Sequence, residues 1–476
     1  MSLLVLLACL KRAPVSPLDG AVGEVGDCAT WEDVYLARAL NRQTNTVEHQ
    51  GNSAELLVDG VQSFDRRIRL AAEADVLLVK TFIYADDEIG QLTTALLKQR
   101  AEAGAVVVLQ VDIKGSISGL EDVVAAFDGG LPQLAGLEEA GVVVVYTNVP
   151  GQSKELEAWV SDRAEATEWS DRPKQRSLWN FDHFDHEKYW IAGTMNADGE
   201  LVYEAILGGM NIASEYAYGG TNQTDDVSGR GGWRDLDVAL RGPVVNDVVA
   251  RYLDLLALNG PEALPFDAEV LNPPQPEAGT VKARFVWNQP AVLNERRIEQ
   301  AVKTHVAHTP EGEIIRLSMA YFAPGPGLMR SFRASLRRGR RLAVITNSPI
   351  SIDVPLVADA SRSAYAQLLR VHPNAALYEW QPSPGHQTLH AKAASFGTCG
   401  PVMIGSANLD GQSSEHNSES VVFLQDPQLR AAFDAMFDAD IDESLRITVG
   451  DIERASLWKR LKGRGIYRAG WYFLSL

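Results

Sequence analysis

Apolar positions along this chain gather into short dense runs separated by longer periodic stretches, and one order of runs occurs twice. Ala74 to Phe82 is an apolar run of strand length, Ile89 to Ala103 reads as a helix, Gly104 stops it, and Ala105 to Val111 is a second apolar run. Farther along, Ile314 to Phe322, Gly327 to Arg338, Gly339 and Leu342 to Thr346 repeat that grammar. Strand, helix, glycine stop and strand make a βαβ unit, which implies a parallel sheet. The pattern therefore predicts an α/β protein built by duplication. Between the copies, Leu258 to Ala283 contains Pro261, Pro265, Pro273, Pro274 and Pro276. That proline density suits an extended linker and not the interior of an element. The expected division is a leader over 1–49, one domain over 50–257, a linker over 258–283 and a second domain over 284–476. Two domains also suit a length of 476 residues, which exceeds what one core usually serves.

Each unit leads to the same chemistry. The first reaches His186-Glu187-Lys188 and then Gly208-Gly209-Met210-Asn211; the second reaches His390-Ala391-Lys392 and then Gly405-Ser406-Ala407-Asn408. In an extended strand residues i and i+2 share a face, so each histidine is expected beside its lysine. A lone His-x-Lys carries little information, but a doubled one followed both times by a glycine-led turn ending in Asn is specific. Each copy alone holds half the groups for substitution at phosphorus, so the two domains are expected to pack face to face as a pseudo-dimer. One neutral imidazole would attack phosphorus while the other, protonated, donates to the leaving alkoxide. Lysine ammonium groups and Asn amides would hold the non-bridging oxygens. Each imidazole also needs an acceptor on its far nitrogen. Asp235 and Glu419, each downstream of its own half-site, are the candidates.

These stretches, together with Ile212-Ala213-Ser214-Glu215-Tyr216, Trp233-Arg234-Asp235, Leu409-Asp410, Asn417-Ser418-Glu419, Thr346-Asn347-Ser348 and Leu377-Tyr378-Glu379, resemble the phospholipase D superfamily and within it most resemble bacterial cardiolipin synthases. The resemblance runs from about residue 50 to 445. It implies an α/β/α sandwich in each half and a phosphatidyl transferase making cardiolipin. Alternatives are a hydrolase releasing phosphatidic acid, a nuclease-type phosphodiesterase, or a lipid-binding relative without turnover. It implies His186 as nucleophile and His390 as acid and base. Lys188, Lys392, Asn211 and Asn408, with Ser406 and Gly209, would bind phosphate, and Asp235 and Glu419 would orient the histidines. The family motif ends in Asp five residues after each Lys, where this chain has Gly193 and Gly397.

Charge narrows the partners. The formal net charge is −18, which opposes nucleic acid because such binding draws on a basic face. Arg454 to Leu476 differs: six cations stand there without an acid, so subtracting them from −18 leaves −24 for residues 1–453. Trp458, Tyr467, Trp471, Tyr472 and Phe473 interleave with those cations. Basic and aromatic residues together suit anchorage at an anionic lipid surface, or equally a tail packed on the domain with its cations in solvent. A phospholipid substrate and a membrane surface are thus the expected partners, with no cofactor, metal or obligate protein partner. Asp182 to Glu187 is rich in metal-ligand types, but the apolar Tyr189 to Ala192 beside it predicts a strand that sends His183 and His186 to opposite faces. Leu6-Leu7-Ala8-Cys9 resembles a lipoprotein cleavage box, although no side-chain cation precedes it as a signal segment requires. The expected location is the bacterial envelope, with anchorage through Cys9 or peripheral association on the cytoplasmic membrane. Cys9, Cys28 and Cys399 form no recognisable framework, and Cys399 is expected to be an idle thiol in a turn.

Overall fold

The computed structural model describes residues 34–117, 130–148, 183–224, 231–261, 264–290 and 295–470. Its strands in the N-terminal half are β1 (His49–Val58), β2 (Val76–Thr81), β3 (Val106–Asp112), β4 (Val143–Thr147), β5 (Tyr189–Met195), β6 (Leu201–Gly208) and β7 (Leu236–Arg241). Those in the C-terminal half are β8 (Val281–Asn288), β9 (Ile314–Met319), β10 (Arg341–Asn347), β11 (Ala375–Trp380), β12 (Lys392–Phe396), β13 (Val402–Gly405), β14 (Glu419–Gln425) and β15 (Ser444–Ile447). All join one sheet in the order β15-β11-β10-β9-β12-β13-β14-β8-β1-β7-β6-β5-β2-β3-β4. Apart from β15, the order is the same read outward from β1 or from β8. The duplication expected from the apolar runs is therefore a duplication of topology.

The two βαβ units form where the pattern places them. β2 and β3 are parallel, as are β9 and β10, and every residue of β2 is buried. Their connecting helices are Glu88–Glu102, capped by the Asp87 carboxylate, and Pro326–Arg337, with proline in its first turn. Both are standard helix starts.

Three expectations need correction. The halves meet edge to edge and not face to face: β1 pairs antiparallel with β8, at His49↔Ala283 and Asn52↔Val281 with a bulge between. Each is the inner edge strand of its own half, and pairing satisfies backbone groups that would otherwise be open. The apolar core then crosses the seam, because helices Val244–Asn259 and Pro427–Asp442 pack into one cluster with strands of both halves. The leader is not featureless, since Val34–Thr44 is a helix whose Leu36 and Leu40 enter the C-terminal core beside Ile298 and Val302. Its period was hidden because only a few positions touch the core. The linker is also shorter than expected, with the preceding helix ending at Asn259 and β8 starting at Val281. It is held down by Gln275, whose Oε1 accepts from the Tyr203 backbone N–H at 2.7 Å.

Cys399 is disulfide-bonded and so is not an idle thiol; Cys9 and Cys28 lie outside the described residues, as do Trp471, Tyr472 and Phe473. Among the described residues no helix is long and apolar enough to cross a membrane.

Candidate active site

Both His-x-Lys segments lie just ahead of the strands expected to carry them. β5 starts at Tyr189 and β12 at Lys392, so His186, Lys188 and His390 occupy the extended approach to each strand. What pairs with these approaches is the other half of the chain. Asp185 bridges to Ser418, and the His186 N–H donates to the Ser418 carbonyl at 3.0 Å. Arg234 bridges to Leu389, and the His390 N–H donates to the Arg234 carbonyl at 2.7 Å. Each histidine is thereby delivered next to the residue that follows Ser418 or Arg234 in the opposite half.

The consequence is an exchange of carboxylates. Glu419, from the C-terminal half, accepts from His186 Nδ1 at 3.0 and 2.9 Å. Asp235, from the N-terminal half, accepts from His390 Nδ1 at 2.8 Å. With Nδ1–H committed to a carboxylate, Nε2 of each ring carries the lone pair. Lys188 Nζ donates to the His186 carbonyl at 2.6 Å, and Lys392 Nζ donates to the His390 carbonyl at 2.5 Å. All six side chains are buried. Each feels the charges of the opposite half, as when Lys188 and His186 both depress His390.

Burial sets the electrostatics. It pulls Lys188 down to about 7 against the opposing pull of Glu419, with Lys392 adding to the fall. It pulls Lys392 down to about 8 against Asp235, Asp353 and Glu419. Burial pushes both histidines below their ordinary range, His390 further because Lys392 lies against it. The site without ligand thus has too many cations for its solvation, and an incoming phosphodiester anion relieves that excess.

The carboxylates differ from one another. Burial opposes ionisation of Glu419, but His186, Lys188 and Ser406 outweigh it and hold the group below its usual range. Ser406 Oγ donates to it at 2.5 Å, Ser413 Oγ at 2.7 Å and Asn417 Nδ2 at 3.2 Å. Asp235 is raised to about 6 by burial, and its local donor is the Leu236 N–H at 2.8 Å. His390 instead packs in aromatic surroundings, 5.1 Å from the Tyr216 ring and 5.2 Å from that of Trp233. Around His186 the one ring is Phe82, at 5.0 Å among the described residues.

Several residues expected on phosphate are placed otherwise. Ser406 spends its hydroxyl on Glu419. Gly209 donates its N–H to the Leu236 carbonyl at 3.3 Å, and a Cβ there would stand 2.3 Å from an Asp235 oxygen. Its glycine makes room for the carboxylate. Asn211 is engaged at both ends of its amide, accepting from the Ile83 N–H at 3.0 Å and donating to the Tyr216 hydroxyl at 2.9 Å. Asn408 retains a buried Oδ1 with no hydrogen-bond partner. His183 turns elsewhere, its Nδ1 meeting the His416 carbonyl at 2.6 Å.

The residues not singled out beforehand are those that hold the orienting groups. Asp410 caps the short turn Gly411–Glu415, accepting from the Ser413 N–H at 2.9 Å, and so aims Ser413 at Glu419. Asp59 takes Arg234 at 2.6 Å, His386 at 3.0 Å and the Asp235 N–H at 3.3 Å. Arg234 also reaches Asp440 at 2.9 Å, fastening the Asp235 segment to the other half. Glu187, between His186 and Lys188, pairs with Arg251 at 2.5 Å. Asp59 has φ of 62°, unusual for a residue with a side chain, and no sequence periodicity signals that.

Gly193 and Gly397 lie at the far ends of β5 and β12, remote from the histidines. A Cβ at Gly193 would stand 2.5 Å from the Tyr203 ring, and Gly397 turns the chain with φ of +69°. Both glycines serve local packing or turning. Gly193→Asp is accordingly expected to destabilise the fold by about 3 kcal/mol or more, through overpacking and a buried unpaired charge. Denaturant unfolding checks this.

The comparisons liken this duplicated sheet, with its two His-x-Lys segments at the seam, to the phospholipase D superfamily. A family model described as cardiolipin synthase, PLD-like domain, matches residues 308–441. Within the superfamily the chain is cardiolipin synthase-like. Cardiolipin synthase A of Pseudomonas aeruginosa is 26% identical over 87% of this chain and 72% of its own length. Cardiolipin synthase B of Salmonella typhi is 25% identical over 79% of this chain and 77% of its own length. Among solved structures, phosphatidylserine synthase of Haemophilus influenzae shares the fold, with a TM-score of 0.62 and 12% identity over 91% of this chain and 97% of that one.

Proposed function

We propose that the protein is a phospholipase D-type phosphatidyltransferase that joins two anionic glycerophospholipids, making cardiolipin from phosphatidylglycerol. The carrying observation is the pair of buried histidines, each held by a carboxylate from the opposite half, with two lysines of depressed pKa beside them. The cardiolipin synthase relatives supply the substrate class. His186 is the nucleophile in this reading, since Glu419 with its three donors stays ionised and fixes Nδ1–H. The bound phosphodiester anion favours the protonated form of His390, so that ring enters the step carrying a proton on each nitrogen. Nε2 of His186 attacks phosphorus, the bond to the head-group glycerol oxygen breaks, and His390 gives that oxygen its Nε2 proton. Glycerol leaves, and His390, now neutral, takes the proton from a hydroxyl of the second lipid. That oxygen attacks phosphorus, the N–P bond breaks, and His186 is restored. One phosphodiester is exchanged for another, so no external energy source enters. Lys188 and Lys392 hold the non-bridging oxygens throughout, and any help from Asn408 comes through its Nδ2–H donors, not its oxygen. The enzyme works at the membrane surface without a spanning helix in its described part.

Incubation with phosphatidylglycerol vesicles tests the reading: cardiolipin plus glycerol is expected, and phosphatidic acid alone would assign a hydrolase. Cleavage of single-stranded DNA without any lipid product would sink both. The lysines add a pH signature. Their folded pKa values of about 7 and 8 lie below the ordinary value, so in the ligand-free protein raising pH through that window removes the charge that captures phosphate. KM is expected to climb above about pH 8 while kcat changes less, because the bound anion raises both lysines and keeps them charged.

A further inference from the structure

The C-terminal half carries a cleft of about 1140 Å³ between the helices Pro326–Arg337, Pro355–Leu369 and Leu457–Gly470, which shares no lining residue with the histidine site. Eight of its lining residues are Lys or Arg and one, Asp359, is acidic, in a chain whose net charge is −18. Some of these cations are already satisfied. Arg362 pairs with Glu379 at 2.6 Å, and Arg370 reaches Glu453 at 3.4 Å. Arg330, Lys459, Arg464 and Arg468 have no ion-pair partner among the described residues. The Arg460 Nε is buried in the wall without a hydrogen-bond partner. Concentrating unpaired cations in a concave surface costs stability through mutual repulsion, so a bound anion is the occupant that offsets it.

The cleft is also bordered by exposed apolar side chains. The helix Leu457–Gly470 packs closely on Pro355–Leu369, since a Cβ at Gly463 would stand 2.5 Å from the Asp359 carbonyl. Tyr467 ties it down through a bond to the Pro324 carbonyl at 2.7 Å. With that face committed inward, Leu457, Trp458 and Leu461 are left 64%, 75% and 49% exposed. On the other flank, beside the lining residue Pro349, Ile350 is 73% exposed, and Val354 and Leu356 are exposed as well. That flank is the segment of Asp353, whose charge reaches His390 and Lys392.

We propose that this cleft is a docking site for the head group of an anionic phospholipid, distinct from the reacting lipids, and that it seats the active-site side of the protein on the bilayer. The free cations take the head-group phosphate, and Leu457, Trp458, Leu461 and Ile350 enter the interface beside it. Basic residues around an anion with apolar side chains at the rim match a lipid surface, whereas a nucleic acid would leave the apolar rim in water. The proposal rests on the phospholipid reading of the active site only for its purpose; its test does not depend on turnover.

The test is sedimentation with vesicles of phosphatidylglycerol and phosphatidylcholine in equal parts, or of phosphatidylcholine alone. The full chain is compared with a triple variant, Arg330→Ala, Arg464→Ala and Arg468→Ala. Wild type is expected to bind the mixed vesicles at least about tenfold more tightly than the neutral ones, and the variant to lose that preference. Turnover of a short-chain, water-soluble phosphatidylglycerol is expected to be unchanged in the variant, which shows that it folds. His186→Ala is expected to bind vesicles as wild type does, so loss of docking and loss of chemistry are read separately. Equal binding of both vesicle types by wild type would overturn the proposal. So would full retention of vesicle binding by the triple variant, or a loss confined to its affinity for single-stranded DNA.

Discussion

His186→Ala is expected to lower turnover by a factor on the order of 10⁴ to 10⁶, the usual cost of removing a nucleophile whose neighbours act with it as a unit. No phosphorylated protein should accumulate on rapid quenching with phosphate-labelled phosphatidylglycerol. His390→Ala is expected to be comparably slow on the natural lipid but for a different reason, and a change of substrate separates the two. With a phosphatidyl ester of p-nitrophenol, the leaving group departs without needing a proton. His390→Ala should then release nitrophenol in a single burst and stall as a phosphohistidine, because nothing deprotonates the acceptor hydroxyl. His186→Ala should give no burst. A burst from His186→Ala and none from His390→Ala would reverse the assignment of nucleophile and acid, which the asymmetry between Glu419 and Asp235 argues against.

That asymmetry explains what the amino-acid sequence could and could not convey. The duplicated βαβ grammar is legible because buried parallel strands are dense in apolar residues, as in β2, buried throughout, and β9, buried except at Arg316. His186, Lys188, His390 and Lys392 were legible because their spacing repeats. The partnership of Glu419 with His186 was not, since it depends on Asp185 pairing with Ser418 across 233 positions of chain, and no local pattern encodes that. The same holds for Asp59, Asp410 and Ser413, each read alone as an ordinary turn or cap residue. Edge-to-edge joining is not legible because the pairing of β1 with β8 is a property of the closed sheet and leaves no local pattern in either strand. The helix Val34–Thr44 is hard to read from sequence because, among its described apolar side chains, Leu36 and Leu40 are those that enter the core.

Glu419→Gln is expected to lower turnover by about 10³ to 10⁴, in the manner of other replacements that leave an imidazole in place but lose the carboxylate on its far nitrogen. The diagnostic point is which step fails. Because Glu419 holds His186, Glu419→Gln should suppress phosphohistidine formation and abolish the nitrophenol burst. Asp235→Asn, acting through His390, should keep the burst and slow the turnover that follows. Double-variant cycles sharpen this. Glu419→Gln combined with His186→Ala should cost little more than His186→Ala alone, as should Asp235→Asn combined with His390→Ala. If each carboxylate served the histidine of its own half, the two bursts would exchange and the non-additive pairs would be His186 with Asp235 and His390 with Glu419. The crossed outcome has a structural consequence as well. A half that lends its carboxylate to the other's imidazole cannot drift from it without exposing a buried, unpaired charge at a cost of about 3 to 5 kcal/mol. The hydrogen bonds that prepare the histidines therefore also hold the seam shut.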